Sequence, residues 1–304
     1  MITYVRANLF ESPAQVLVNT VNTVGVMGKG IALEFKRLFP EMFREYLQLC
    51  EHGKLGIGRL HLFRTPGKWV LNIPTKKHWK QPSKVEYIRA GLNTFRDMYA
   101  DAGIDSVAFP PLGCGHGQLD FESQVRPLME EYLESLPIAV FIYPERPAKG
   151  LMEHQDPKSM RDWLHSEPAS LPFVEIWADV LESIEESSNF HTEVKRTPFH
   201  VEAIEDPPAL IIKTGKGSYR IVHDQLLEFW QQLREYGFSY RRVAPEHWRV
   251  HYLLPIFARL DYIDRVEVSE SQQGLQRNAA YALQVRPPVR SPDSVTGDLF
   301  TPRI

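Results

Sequence analysis

Cysteine is almost missing: Cys50 and Cys114 are the only two in 304 residues. Two thiols make neither a disulfide framework nor a zinc-finger spacing, and the expected setting is a reducing cytoplasm. Long apolar runs are missing as well, and no basic-then-apolar stretch stands at Met1. Membrane insertion and secretion are therefore not expected. The 35 basic and 38 acidic side chains nearly cancel, to a net charge of -3, which excludes a strongly basic nucleic-acid binder. Neither G-x-x-x-x-G-K-[ST] nor G-x-G-x-x-G occurs, so the two commonest phosphate-binding patterns are excluded.

What is present is the composition of a globular protein, 43% hydrophobic and 11% aromatic, over enough chain for two domains of ordinary size. The charge is uneven. Residues 1–150 hold 18 basic and 15 acidic side chains, and the remainder holds 17 and 23. A mildly basic first half suits an anionic ligand, and an acidic second half suits either a basic protein surface or plain solvation.

An apolar, β-branched run from Val16 to Val21 stops at Asn22. Gly25, Gly28 and Gly30 follow, and Ile31, Leu33, Phe35 and Leu38 resume at helical density. Strand, glycine loop and helix together offer backbone amides to a phosphate. The pattern repeats at Val107-Ala-Phe-Pro-Pro-Leu-Gly113-Cys114-Gly115-His116-Gly117, with a helix expected from Phe121 to Leu133. Taken singly, each loop is equally an ordinary strand-to-helix connection. Taken together, they can surround one pyrophosphate.

The other elements of the first half are strands at Ile2 to Val5, Arg59 to Phe63, Trp69 to Ile73 and Ile138 to Tyr143, and helices at Glu41 to Cys50 and Val85 to Ala100. Thr65-Pro66-Gly67 reads as a hairpin turn. Strands alternating with helices predict an α/β sheet covered on both faces, with ligands at the carboxyl ends of the strands.

Asn-Thr-Val-Asn-Thr-x-Gly-x-Met-Gly-x-Gly-Ile-Ala and Pro-Pro-Leu-Gly-Cys-Gly closely resemble the two ADP-ribose loops of macrodomains. The resemblance covers about residues 1 to 145 and implies a mixed sheet with helices on both faces. More narrowly, the chain resembles DarG-type antitoxins of DarT/DarG toxin–antitoxin pairs, whose macrodomain removes ADP-ribose from thymidine in DNA. The resemblance implies ADP-ribose contacts at Asn8, Leu9, Thr20, Val21, Asn22, Gly28, Gly30, Ile31, Ala32, Thr75, Gly113, Cys114, Gly115, His116, Gly117 and Tyr143. Asn8 takes the place of a family Asp that meets the adenine amino group, with Leu9 and Phe10 walling the base; it can equally cap a turn. Tyr143 can pack on the ligand or be a core tyrosine.

Pro74-Thr75-Lys76 resembles the catalytic strip of macrodomain glycohydrolases, in which the lysine after Thr attacks the anomeric carbon of the distal ribose. That match alone favours Lys76 over Lys77. A lysine amine among other cations is more readily deprotonated and so made nucleophilic. Lys77, Trp79 and Lys80 are then candidate DNA contacts, the lysines to phosphate and Trp79 by stacking; an isolated basic loop would be read as solvated. One departure is Gly117, where related human-type enzymes carry an Asp. This leaves His116 or Asp120 as the acid for the leaving group. Cys114 reads as a packing residue rather than a nucleophile. No metal and no cofactor are expected.

The division expected is 1–147 macrodomain, 148–157 linker, 158–286 a smaller α+β domain with winged-helix character, and 287–304 a disordered tail. Within the second domain, helices are expected at Lys158 to His165, Asp179 to Ser187, Gln225 to Tyr236 (capped by Asp224) and His251 to Leu260. Phe173 to Trp177 reads as a strand, Ala209 to Thr214 and Ser218 to Val222 as a hairpin, and Asp264 to Ser269 and Ala279 to Val285 as further strands. Nine acids between Glu175 and Asp206 suggest a surface that occupies a basic, DNA-binding groove on a DarT-type toxin. The reading is an antitoxin that hydrolyses the ADP-ribose–thymidine bond in DNA and binds its toxin through the second domain. The alternatives are a non-catalytic ADP-ribose reader, or a deacylase or phosphatase acting on a free ADP-ribose derivative.

Overall fold

The structure is a computed structural model that describes residues 1–144, 157–240, 249–269 and 280–287. Contacts divide the chain into two units: Met1–Trp163 with Pro172–Val174, and Leu164–Leu171 with the described part of Glu175–Ile304. Most of the expected linker and all of the expected tail but Pro287 lie outside the described residues. Among those described, no helix is long and apolar enough to cross a membrane.

The first unit runs β1 (Ile2–Tyr4), β2 (Val16–Val21), α1 (Gly30–Leu38), α2 (Pro40–Glu51), β3 (His61–Phe63), β4 (Trp69–Pro74), α3 (Val85–Met98), β5 (Ser106–Phe109), α4 (Arg126–Leu133) and β6 (Ala139–Ile142). Its sheet has the order β1-β6-β5-β2-β4-β3. Every pair is parallel except the β3–β4 hairpin. Alternate residues of a strand point to opposite faces, and β2 shows the result. Val16 and Val18 enter one core with Ile88, Leu92 and Phe95 of α3. Leu17 and Val21 enter another with Phe35, Met42 and Tyr46 of α1 and α2. Both faces are buried, which is why the strands read as continuous apolar runs rather than as alternation.

Two asparagines interrupt those runs. Asn19 and Asn72 are opposite each other in β2 and β4, and Asn72 is opposite His61 in β3. Asn19 Nδ2 donates to Asn72 Oδ1 at 2.8 Å, and Asn72 Nδ2 donates to His61 Nδ1 at 3.0 Å. His61 Nε2 lies 3.3 Å from Glu45 Oε1 at the surface of α2. Burial pushes the His61 pKa down against the pull of Glu45, which favours the neutral ring that this bond requires. The result is a polar ladder across three strands of an apolar core.

Helix α5 (Pro157–Ser166) and the start of α6 (Phe173–Glu186) straddle the division, and the second unit holds the rest of α6, α7 (His223–Tyr236) and α8 (Val250–Phe257). Strands β7 (Asn189–His191), β8 (Pro198–Ile204), β9 (Ala209–Thr214) and β10 (Gly217–Val222) form an antiparallel sheet of order β10-β9-β8-β7. Strands β11 (Phe238–Tyr240), β12 (Ile263–Val268) and β13 (Ala280–Val285) form a second, of order β11-β13-β12. The expected hairpin is β9–β10, which is half of a four-stranded sheet.

Three local expectations are corrected here. Phe173 to Trp177 is helix, not strand: Phe173, Ile176, Trp177, Val180 and Ile184 are buried at helical spacing through α6. Asp224 lies inside α7, whose N-cap is Val222; Gln225 Oε1 accepts from Val222 N at 3.1 Å. Glu175 and Asp179 are not surface acids. Both are 7% exposed, and Asp179 Oδ2 accepts from the Tyr262 hydroxyl at 2.6 Å and lies 3.0 Å from His165 Nε2. The exposed acids of this stretch include Glu182, Glu185 and Glu186, at the end of α6.

Candidate active site

The carboxyl ends of β2, β4, β5 and β6 reach one rim of the first sheet. Val21 is opposite Pro74 and Phe109 is opposite Ile142. The ladder continues one step further, with Thr75 N donating to Val21 O and Tyr143 N to Phe109 O, each at 2.9 Å. The first glycine loop, the strip from Thr75, the second glycine loop and Tyr143 therefore all emerge side by side.

The first loop is shaped from within by Asn22. Its Oδ1 accepts from Val24 N at 3.1 Å and Val26 N at 3.2 Å, and its Nδ2 donates to Val26 O at 2.6 Å. The Tyr46 hydroxyl, from α2, lies 2.9 Å from Asn22 O and 3.1 Å from Asn22 Oδ1. Asn22 was expected among the ligand contacts, but its side chain is committed to the loop, and what it can offer a ligand is backbone. Gly25 has φ +93°, and a Cβ there would lie 2.7 Å from Leu47 Cδ1, so both conformation and space require glycine. Gly28 is buried; Gly30 is exposed with φ +60°, where α1 begins. Thr20, Ile31 and Ala32 are half-buried beside it.

The second loop is packed more tightly. Gly113 has φ +70°, and Leu119 N donates to Gly113 O at 3.1 Å, folding 113–119 back on itself. Gly117 O accepts from Ser83 N at 3.0 Å. A Cβ on Gly117 would lie 2.2 Å from Gly113 O and 2.3 Å from Ser83 Oγ. The glycine that stands where related enzymes carry an acid thus sits where no side chain fits. His116 crosses to the first loop, its Cδ2 only 3.1 Å from where a Cβ on Gly30 would be. Gly115 faces open space.

Of the two candidate acids, Asp120 is displaced from the role. Its Oδ1 accepts from Ser123 N at 2.7 Å and Ser123 Oγ at 2.5 Å, capping the turn that leads into α4. Those bonds hold its carboxyl below the usual range, so it carries no proton to give at neutral pH. His116 remains. Burial pushes the Cys114 thiol up to about 12, in keeping with packing rather than nucleophilic attack.

Where adenine contacts were expected, Asn8 Oδ1 accepts from Phe10 N at 3.2 Å and caps the short 3-10 turn Leu9–Glu11. It remains exposed, so the turn-capping alternative is realised while the side chain stays reachable. Leu9 and Tyr143 both belong to the core packed on α1 and α2 and present little more than an edge.

The strip from Thr75 separates its two lysines. Thr75 is buried and Lys76 is 7% exposed, whereas Lys77 is exposed. Lys77 O accepts from Thr23 Oγ1 at 2.7 Å and from Thr23 N at 3.3 Å, tying the strip to the first loop. A tight turn follows, with Gln81 N donating to His78 O and Lys80 N to His78 Nδ1. Trp79 is corrected outright. It is 0% exposed, with Lys80 Nζ 4.9 Å from its ring centroid. No face is left for a DNA base. Sequence reasoning missed Thr23, Tyr46 and Ser83, which carry no chemistry of their own and act by holding the loops.

The Macro domain family model matches residues 18–127, which contain both glycine loops and the lysine strip. The chain belongs to the macrodomain family. The macrodomain is 45% identical over 148 residues to the DNA ADP-ribosyl glycohydrolase of Thermus aquaticus, an alignment covering 47% of this chain and 41% of that protein. A DNA ADP-ribosyl transferase–glycohydrolase fusion protein of Thermosipho africanus is 37% identical over 161 residues, covering 47% of this chain and 41% of the fusion. Among solved structures, the macrodomain of Thermus aquaticus DarG is 44% identical, covering 48% of this chain and 99% of that one, with a TM-score of 0.46. The chain thus spans well under half the length of the curated relatives it matches.

Proposed function

We propose that this macrodomain is an ADP-ribosyl glycohydrolase that removes ADP-ribose from thymidine in DNA. The observation that carries the reading is Lys76, an amine withdrawn from solvent at the rim where both glycine loops emerge. The loops would hold the pyrophosphate on backbone amides. The Lys76 amine would then attack the anomeric carbon of the distal ribose. The carbon–nitrogen bond to the base breaks, its electron pair leaves with the base, and a proton reaches the base from His116 or water. Opening of the ribose gives a protonated imine, which water hydrolyses to release ADP-ribose and restore the amine. The curated name of the Thermus aquaticus relative supports this reading. A pure reader has no use for a buried lysine here. Wild-type protein is expected to release ADP-ribose from a thymidine-ADP-ribosylated oligonucleotide. Binding without release would make it a reader.

The second unit would bind and neutralise a DarT-type transferase toxin in the cytoplasm. The Thermosipho africanus fusion, which joins a transferase to a glycohydrolase in one polypeptide, supports a partnership of that kind. The exposed acids Glu182, Glu185 and Glu186 suit a basic groove on the toxin. Reversing all three to lysine is expected to weaken toxin binding in surface plasmon resonance by at least about tenfold, roughly 1.4 kcal/mol. Unchanged affinity would move the interface elsewhere.

A further inference from the structure

From Ile73 to Val85 the chain holds four lysines and no acid. Lys76 is buried, and Lys77, Lys80 and Lys84 are exposed. Among the described residues these three form no ion pair, and the acid nearest to them in sequence is Glu86, exposed in the first turn of the helix that follows. Lys84 stands immediately before α3, with its Nζ 5.8 Å from the ring centroid of Tyr87 in the first turn of that helix. Tyr87 is half-buried, not sealed. It offers what the sealed Trp79 cannot, an aromatic surface beside the lysine strip with a cation next to it.

We propose that the DNA strand leaves the Lys76 site toward the first turn of α3, with the nucleotide beside the modified one stacking on Tyr87 and its phosphate meeting Lys84. The proposal rests on the glycohydrolase reading, since it takes a modified base to be held at Lys76. An aromatic face with a neighbouring cation accepts any base, because every base has a π-face. Lysines along the backbone's path add a phosphate term that weakens with salt. The domain would then recognise a modified strand rather than a modified nucleoside.

The test uses the full chain carrying Lys76→Met, which keeps the aliphatic stem and removes the amine. Equilibrium binding is measured to ADP-ribosyl thymidine mononucleotide and to the same nucleotide extended on its 5′ or its 3′ side. Extension on one side is expected to tighten binding about tenfold, and Tyr87→Ala to abolish that gain. Lys84→Gln is expected to lower the slope of log affinity against log salt by about 0.7. Affinity for the mononucleotide should be the same in both variants. Equal affinity for mononucleotide and extended strands overturns the track, as does an extension gain that survives in the Tyr87→Ala, Lys84→Gln double variant. Release of ADP-ribose by wild type, measured separately, decides the glycohydrolase reading. If release fails, the binding comparison still reads the track, and binding of neither ligand overturns both.

Discussion

In Lys76→Ala, single-turnover release of ADP-ribose from a thymidine-ADP-ribosylated oligonucleotide falls by at least about a thousandfold, the scale of losing a covalent nucleophile. Binding of free ADP-ribose, measured by calorimetry, stays within a few-fold of wild type, because in the proposed reading the pyrophosphate is held by loop amides that the substitution does not touch. Lys77→Ala is the contrasting variant. Lys77 is exposed and its carbonyl is fixed by Thr23, so its loss removes at most a phosphate contact and costs about tenfold or less at low salt. The family match had to choose between two adjacent lysines, and burial now separates them. A fully active Lys76→Ala, or an inactive Lys77→Ala with Lys76 intact, would reverse the assignment.

Gly117→Ala is the second large effect. The added methyl would fall 2.2 Å from the Gly113 carbonyl oxygen and 2.3 Å from Ser83 Oγ. Both contacts lie within the van der Waals radii, and one of them is to backbone, which cannot rotate away. The second loop has to lift from Ser83 to admit it. Overpacking of this kind costs about 1–3 kcal/mol, and ADP-ribose affinity should fall by at least about tenfold as the loop amides leave the phosphate. Gly115→Ala is the stability control, since a Cβ there meets nothing within 4 Å and Tm should not move. An unshifted Tm in Gly117→Ala would mean that the loop is not seated as described. The same geometry explains why an acid cannot simply be restored at position 117.

The two glycine loops, the sheet between them and most of the helices were legible in the sequence, because strand, glycine turn and helix each impose a local pattern. Expectations failed where burial and tertiary contact, not local pattern, decided what a side chain does. Trp79 stood among four cationic or histidine neighbours and read as exposed, yet its ring is covered and Lys80 lies over it. The family resemblance implied Asn22 as a ligand contact, and Tyr46 and the loop's own amides claim its side chain, leaving its backbone for that role. In the second half, a tally of acids hid the alternation of Phe199 and Val201 in β8. It also counted Glu175 and Asp179 as surface, although both are interior. Phe173 to Trp177 looked like a strand only because the helical period was cut short before Val180 and Ile184.

Asn19, Asn72 and His61 have a consequence for how this protein can diverge. Each amide or ring in the ladder is bonded to the next, so an apolar residue at one position strands a buried polar group at its neighbour, at about 1–3 kcal/mol. The three positions are therefore energetically coupled, and changing one alone is expected to cost more than exchanging the set together. Asn19 Nδ2 also lies 3.8 Å from the sulfur of Met27, within the first glycine loop. The first glycine loop and the polar ladder beneath it thus touch, and a substitution in one is expected to be felt in the other.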